Sequence, residues 1–451
     1  MRKKKNNFLF FLVLIICVGI AIFIYSSSKF EREKPNIDIP DISYWNLKWD
    51  IPIKISDSSG IKSYKIIFIK DDEETILISK KGNNQKNIEL ILPIPKINIS
   101  NGDKLQYRIE ATDNSFFRFF LGNTSNAKLE FTIDTKIPVA RIVAMSNKIT
   151  KGGSAAVVFF AKDENLANIS ISNGYQSFVA FPFLKENYYV SIIPWSIHNP
   201  SFRGLITIQD KAGNVKKSNI GFAKYSKVYR TSHLALKNSF IDGKVAELIE
   251  NANEFSLYDF TSRFNMFRYV NETIRGRDEA TIKSKILNLD LTYFTTDINV
   301  FKPLKDFVIV GLYGDHRKYT IDKQPAGESY HLGTDLANVK NAQVTNSNDG
   351  VVVLSESLGI YGNTVMIDHG FGISSLYSHL SEIYVSEGDE VKKGSIIGRT
   401  GISGFAFGDH LHFEIRIQGT PVLSTEWMDS KWLKVNINDI LVEAKSIIEN
   451  R

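Results

Sequence analysis

The sequence predicts a mainly β, multidomain chain: an N-terminal transmembrane helix, two β-sandwich-like units, a helical connector and a C-terminal antiparallel β domain. Three observations carry that expectation. One unbroken apolar run, Phe8 to Tyr25, sits at the N-terminus. Short β-branched and aromatic runs, punctuated by turn residues, fill most of residues 35–224. Helical spacing then intervenes, and after it short strands return among many isolated glycines. With 451 residues, 43% of them hydrophobic and 23% charged, the composition is that of folded domains. Wholesale disorder is excluded, and about 150 residues per domain gives roughly three domains.

The N-terminal element comes first. Four of the six excess positive charges are Arg2, Lys3, Lys4 and Lys5, which leaves +2 for the rest of the chain. That near-neutral remainder gives no basis for a nucleic-acid partner. About 20 apolar residues cross a bilayer as a helix, whereas a signal-peptide core runs to about 7–15. No Ala-x-Ala-like site follows the run; Ser26-Ser27-Ser28-Lys29 come next. Residues 1–28 therefore read as an uncleaved signal anchor, single-pass in the cytoplasmic membrane. Basic residues stay inside, so everything after about Lys29 is expected on the outer, periplasmic or extracytoplasmic, side. Cys17, the one cysteine, lies within the span behind bulky Ile15-Ile16 and reads as a small apolar residue, not a lipidation site. With no second cysteine, intrachain disulfides are excluded.

Residues 35–135 and 136–224 form the two sandwich units. Tyr64 to Ile69 and Gln106 to Ala111 are strand runs of the first, Ala156 to Ala161 and Leu205 to Ile208 of the second. Asp57-Ser58-Ser59-Gly60-Ile61 and Asp210-Lys211-Ala212-Gly213-Asn214 read as turns between sandwich strands, and resemble those of bacterial immunoglobulin-like domains. Such modules act as spacers or as docking surfaces for an envelope protein partner. Residues 225–287 read as a helical connector packed on the last domain, from the spacing of Val245 to Ile249 and of Ile274 to Ile286. Residues 288–451 are the last domain, in which Val385 to Gly394 reads as a hairpin with a tight turn.

Histidines single that domain out. The chain has eight, and five of them (His331, His369, His379, His410 and His412) fall within less than a fifth of its length. From Asp409 to Ile417 the pattern has period two. His410, His412, Glu414 and Arg416 share one face and Leu411, Phe413, Ile415 and Ile417 the other, as on a half-buried strand. Two imidazoles on one such face stand about 7 Å apart, which suits one metal ligand and one neighbour. His331 and Asp335 offer an imidazole and a carboxylate that converge on one ion if the strand bends at Gly333. With either His410 or His412 they complete the three-ligand set of a catalytic zinc site, whose fourth position holds water. Tyr377-Ser378-His379-Leu380 adds another imidazole. Two histidines beyond the ligands suffice to move the water proton and to stabilise an oxyanion.

These motifs, His331-x3-Asp335, Tyr377-Ser378-His379-Leu380 and His410-Leu411-His412-Phe413-Glu414-Ile415, stand in the order and spacing of the lysostaphin/LytM-type zinc endopeptidases. The chain resembles that family over about residues 311–432, including Tyr361 to Gly370 and Glu387 to Gly401. The resemblance implies one Zn²⁺ held by His331, Asp335 and His412, with His379 and His410 as the catalytic pair, in an antiparallel β groove. It also implies a substrate, the peptides of bacterial peptidoglycan, cut in the stem or the cross-bridge. His369 is expected to be structural, His316 to lie at the surface or against substrate, and His198 and His233 to be ordinary surface residues. Glu414 is expected either to support the metal site or to pair with a basic side chain on a neighbouring strand.

The expected function is a membrane-anchored zinc endopeptidase of the cell wall. The alternative is a non-catalytic or latent regulator of the same family that binds and activates a wall amidase. The long upstream region is the expected source of latency, so a chain begun near Leu289 should act faster than the whole.

Overall fold

The computed structural model describes residues 7–252, 260, 262–287 and 298–450. The basic block Arg2 to Lys5 and the expected start of the last domain near Leu289 lie outside the described residues. The chain divides into two compact units: residues 1–138 with 163–167 and 209–215, and the remainder from Val139 onward.

The first unit opens with helix Asn7–Ser26, of which Phe8–Ser26 is long and apolar enough to cross a membrane, a property that signal sequences share. A sandwich follows. One sheet has the order Asn36–Asp38, Pro52–Ser56, Asn87–Ile91; the other runs Tyr44–Trp45, Thr124–Ile133, Lys104–Asp113, Ile61–Lys70, Glu73–Lys81. Strand Lys104–Asp113 alternates as its sequence dictates, with Leu105, Tyr107, Ile109 and Ala111 buried in the core beside Trp45 and Phe131. Ile66, Ile67 and Phe68 are buried in succession because a bulge interrupts the pairing there. Of the two turns read from sequence, Asp210–Asn214 shares a motif not with Asp57–Ile61 but with the Asp113–Asn123 connection. Asn123 and Asn214 each donate a backbone N–H and a side-chain amide, at 2.8 Å, to the carboxylates of Asp113 and Asp210 respectively.

The second unit carries the second sandwich, whose sheets order Phe181–Phe183, Lys185–Pro194, Ser154–Lys162, Val139–Met145 and Ser177–Phe178, Leu166–Ser172, Leu205–Asp210, Val215–Asn219. Strand Ser154–Lys162 is buried almost throughout. C-terminal helix Asp439–Glu449 covers it, and Ala156 and Val158 share one core with Ile440, Leu441 and Ala444.

The stretch expected to be a helical connector departs from that expectation at its start. Thr231–Leu236 is a strand, parallel to His316–Ile321, and its period-two burial (Ser232 and Leu236 inward, His233 outward) is the signal that the helical reading passed over. Helical turns then run Asn238–Asn251 and Arg263–Leu287. Val245, Ile249, Phe267, Val270, Ile274 and Ile282 close over Val353, Leu354, Met366 and Leu376. These helices form one face of the last domain's core.

That domain is built on an antiparallel sheet of eight strands. In chain order they are β1 (Val308–Gly311), β2 (Thr334–Ala337), β3 (Gly350–Leu358), β4 (Gly362–Asp368), β5 (Ile373–Leu380), β6 (Glu390–Val391), β7 (Leu411–Ile417) and β8 (Thr420–Val422). Their spatial order is β1-β2-β7-β5-β4-β3-β6, with β8 on β7. The expected hairpin at 385–394 is instead two successive turns. Between them, Glu390 and Val391 pair with Val351 and Gly350 of β3.

Candidate metal centre

Cross-strand register assembles the site. On β7, His412 lies opposite Asp335 of β2 on one side and Ser378 of β5 on the other. His331 follows the preceding strand, Gln324–Tyr330, and the chain bends at Gly333 to bring it over the same spot. A Cβ at Gly333 would lie 2.7 Å from His412 Nε2, and one at Gly311 would lie 2.2 Å from Asp335 Oδ2, so both positions require glycine. His331 Nε2, Asp335 Oδ1 and His412 Nδ1 then stand 2.9, 2.9 and 3.0 Å from one another, all three residues buried.

Each imidazole has one nitrogen fixed by an acceptor. His331 Nδ1–H donates to Leu312 O at 2.9 Å and His412 Nε2–H to Glu414 Oε1 at 2.9 Å. In these tautomers two ring lone pairs and a carboxylate oxygen face one point, a set that needs positive charge there, whether a metal ion or the proton that a charged His412 places between its Nδ1 and Asp335 Oδ1. The donor set fits Zn²⁺, which takes imidazole nitrogen and carboxylate oxygen in a tetrahedral site. Ionisation reflects the same demand. Burial opposes charge on both groups, yet His331 and His412 hold the Asp335 carboxyl well below its usual range. For His412, burial lowers the pKa, but hydrogen bonds to Asp335 and Glu414 push it up to about 9.

His379 and His410 flank this triangle. Their Nδ1–H groups donate to Ser403 O at 2.8 Å and Gly408 O at 2.7 Å, so each presents Nε2 to the groove. Their ring centres are 4.9 Å apart, and His410 Nε2 is 3.6 Å from Asp335 Oδ1. His379 has φ of +63°, a left-handed conformation that costs about 1–2 kcal/mol for a side-chain-bearing residue. It breaks the alternation of β5. Burial, then the neighbouring charges of His412 and His410, holds the His379 pKa well below its usual value. The groove above has a volume of about 620 Å³, with walls that include Ile309, Leu312, Tyr330 and Phe407.

The structure thus brings together all five expected residues: His331, Asp335, His379, His410 and His412. His369 is buried elsewhere, between Asp349 O at 2.8 Å and Ser375 Oγ at 2.7 Å. His316 stacks on Tyr330 and bonds Glu328, and His198 meets the edge of the same ring. His233 is exposed. Glu414 bonds the expected ligand His412, and its basic partner is not on a neighbouring strand as expected but is Arg416, at 2.6 Å on the same strand. Nor is β7 half-buried: all seven residues are buried, because Glu279 and Tyr361 cover its polar face. Sequence reasoning gave no role to Arg317, whose Nη2 is 3.2 Å from Asp335 Oδ2, or to Glu279 and Tyr361. Tyr361 opened a quoted motif; the other two had no local signal.

A family model described as peptidase family M23 matches residues 329–424, the segment that spans all five. The chain carries an M23 peptidase domain. The M23 segment is 45% identical over 92 residues to the DD-carboxypeptidase/endopeptidase Mpg of Neisseria meningitidis serogroup B, covering 20% of this chain and 21% of that protein. It is 42% identical over 92 residues to the peptidoglycan DD-endopeptidase ShyA of Vibrio cholerae, again covering 20% and 21%. The murein hydrolase activator EnvC of Escherichia coli is 35% identical over 106 residues, covering 24% of this chain and 25% of EnvC. The chain thus spans about a fifth to a quarter of the length of these relatives.

Proposed function

We propose that the chain is a membrane-anchored, zinc-dependent endopeptidase that cuts peptide bonds in peptidoglycan. One observation carries this reading: four imidazoles and one carboxylate converge on one open groove, each ring with its far nitrogen tied to a fixed acceptor. His331, Asp335 and His412 would hold the ion. When bound, zinc supplies Lewis acidity to a carbonyl and acidifies water. The remaining work belongs to side chains. His379 and His410, each anchored through Nδ1, offer Nε2 to the groove. One takes the proton of the attacking water; the other, protonated, donates to the oxyanion and then to the leaving amine. Helix Asn7–Ser26 acts as the anchor and puts the groove on the outer side of the cytoplasmic membrane.

Similarity to an activator, EnvC, favours a second reading in which the groove binds and the chain stimulates a wall amidase. Purified sacculi separate the two. Incubated with the full chain alone, they should release fragments with new peptide termini by mass spectrometry, and a chelator should stop the release. Release only when an amidase is added, with cuts at the glycan–peptide amide, would favour the regulator.

A further inference from the structure

Beneath His412 lies a buried chain of charged groups that ends outside the matched segment, on helix Arg275–Leu287. Glu414 divides its two oxygens: Oε1 accepts from His412 Nε2 at 2.9 Å and from Tyr361 Oη at 3.0 Å, while Oε2 accepts from Arg416 Nε at 2.6 Å. The other two nitrogens of Arg416 donate to both oxygens of Glu279, at 2.9 and 3.0 Å. The single hydroxyl proton of Tyr361 lies within reach of Glu279 as well as Glu414 and serves one of them at a time, while its oxygen accepts from Arg416 at 3.1 Å. The side chains of Arg416 and Glu414 are 1% and 0% exposed, so water cannot replace a missing partner.

Resting on the metal reading above, we infer that Glu279 is a positioning residue for the metal ligand His412, acting through Arg416 and Glu414. Two consequences of its position carry this. With Glu279 in place, the guanidinium is occupied along its outer edge and takes only one oxygen of Glu414, which leaves the other for His412. Without it, Arg416 is free to turn both its donors onto Glu414 and draw it from the imidazole. Glu279 also sets the local charge. Two carboxylates against one guanidinium leave a net negative charge behind His412, which favours a cation in front of it. The neighbouring Asp278 does separate work. Its carboxylate accepts from the backbone N–H groups of Gly359 and Ile360, at 3.1 and 2.6 Å, and pins the turn before Tyr361. Of these adjacent residues on one helix, only Glu279 thus supports the ion.

The test is metal affinity of the full chain in detergent micelles, by Co²⁺ absorption and by Zn²⁺ competition with a chelating dye, beside thermal melting of the metal-free protein. Glu279→Gln should lower the metal-free melting temperature, because Arg416 loses a buried partner, and should also weaken binding about tenfold at a temperature where the metal-free protein is fully folded. Asp278→Asn should lower the melting temperature and leave binding unchanged. In a Glu414→Gln background, Glu279→Gln should add less than about twofold, since the path is already cut. Wild-type affinity in Glu279→Gln, or an undiminished effect in the Glu414→Gln background, would overturn the inference while leaving the metal site intact. Should Glu279→Gln not fold, Tyr361→Phe, which removes the hydroxyl shared by the two glutamates, must weaken binding; unchanged binding there overturns it equally. A wild-type chain that takes up no Co²⁺ refutes the metal reading and this inference together.

Discussion

His379 and His412 stand 5.7 Å apart, ring centre to ring centre, yet their loss should differ in kind. His412→Ala removes a donor and should abolish metal uptake and activity together, as should Asp335→Ala. His379→Ala leaves all three donors in place. It should keep about one ion per chain, while turnover on sacculi falls by about 10²–10⁴-fold; metal analysis run beside rate measurements separates the two outcomes. Period two put His410 and His412 on one face, and residue type and spacing made His331, Asp335 and His379 candidates, but the choice of His412 over His410 as ligand rested on the family resemblance. Their poise was not legible. The +63° φ of His379 and the carbonyls of Leu312, Ser403 and Gly408 that set each tautomer come from folded backbone that no spacing encodes.

Helix Ser424–Trp427, just after the site strand, carries Glu426 against Gly153 of the second sandwich. Its Oε2 has no hydrogen-bond partner among the described residues, and burial pushes the carboxyl up to about 7, against hydrogen bonds from Thr150 and Ser154. A raised folded-state pKa means that the protonated form stabilises the fold below the unfolded value of 4.5, and that this stability is lost as pH rises through about 7. The shift is worth about 3 kcal/mol. Glu426→Gln should therefore gain stability over wild type at pH 8.5 and little at pH 4, by urea denaturation. Strand Thr231–Leu236 and helix Arg275–Leu287 lead to a second expectation, the reverse of the latency read from sequence. A chain begun at Leu289 lacks both, and bares Tyr319, Val353, Leu354 and Met366. It should be poorly soluble and slow on sacculi, whereas one begun at Val139 should keep the whole-chain rate. Soluble yield, near-ultraviolet circular dichroism and fragment release check both. The helix was legible from the spacing of Ile274 to Ile286, whereas the strand was passed over and Glu279 had no local signal, because their partners lie 85 and 137 residues later in the chain, at His316 and Arg416.

Across the molecule, the β class, the N-terminal apolar helix and the antiparallel C-terminal domain were legible from hydrophobic period and turn residues. The shared core that joins the second sandwich to the C-terminal helix was not, since Ala156, Val158 and Ile440 carry no mark of one another. If helix Asn7–Ser26 is the anchor, alkaline carbonate should leave the chain in the membrane pellet, and removal of residues 1–28 should free it with its rate on sacculi retained. All of this turns on an ion at the junction of three side chains. Anomalous diffraction at the zinc edge from crystals grown with Zn²⁺ measures that directly. One peak about 2.0–2.2 Å from His331 Nε2, Asp335 Oδ1 and His412 Nδ1 is the required result. Zinc-saturated crystals with no peak there, or with an ion held elsewhere, would contradict it.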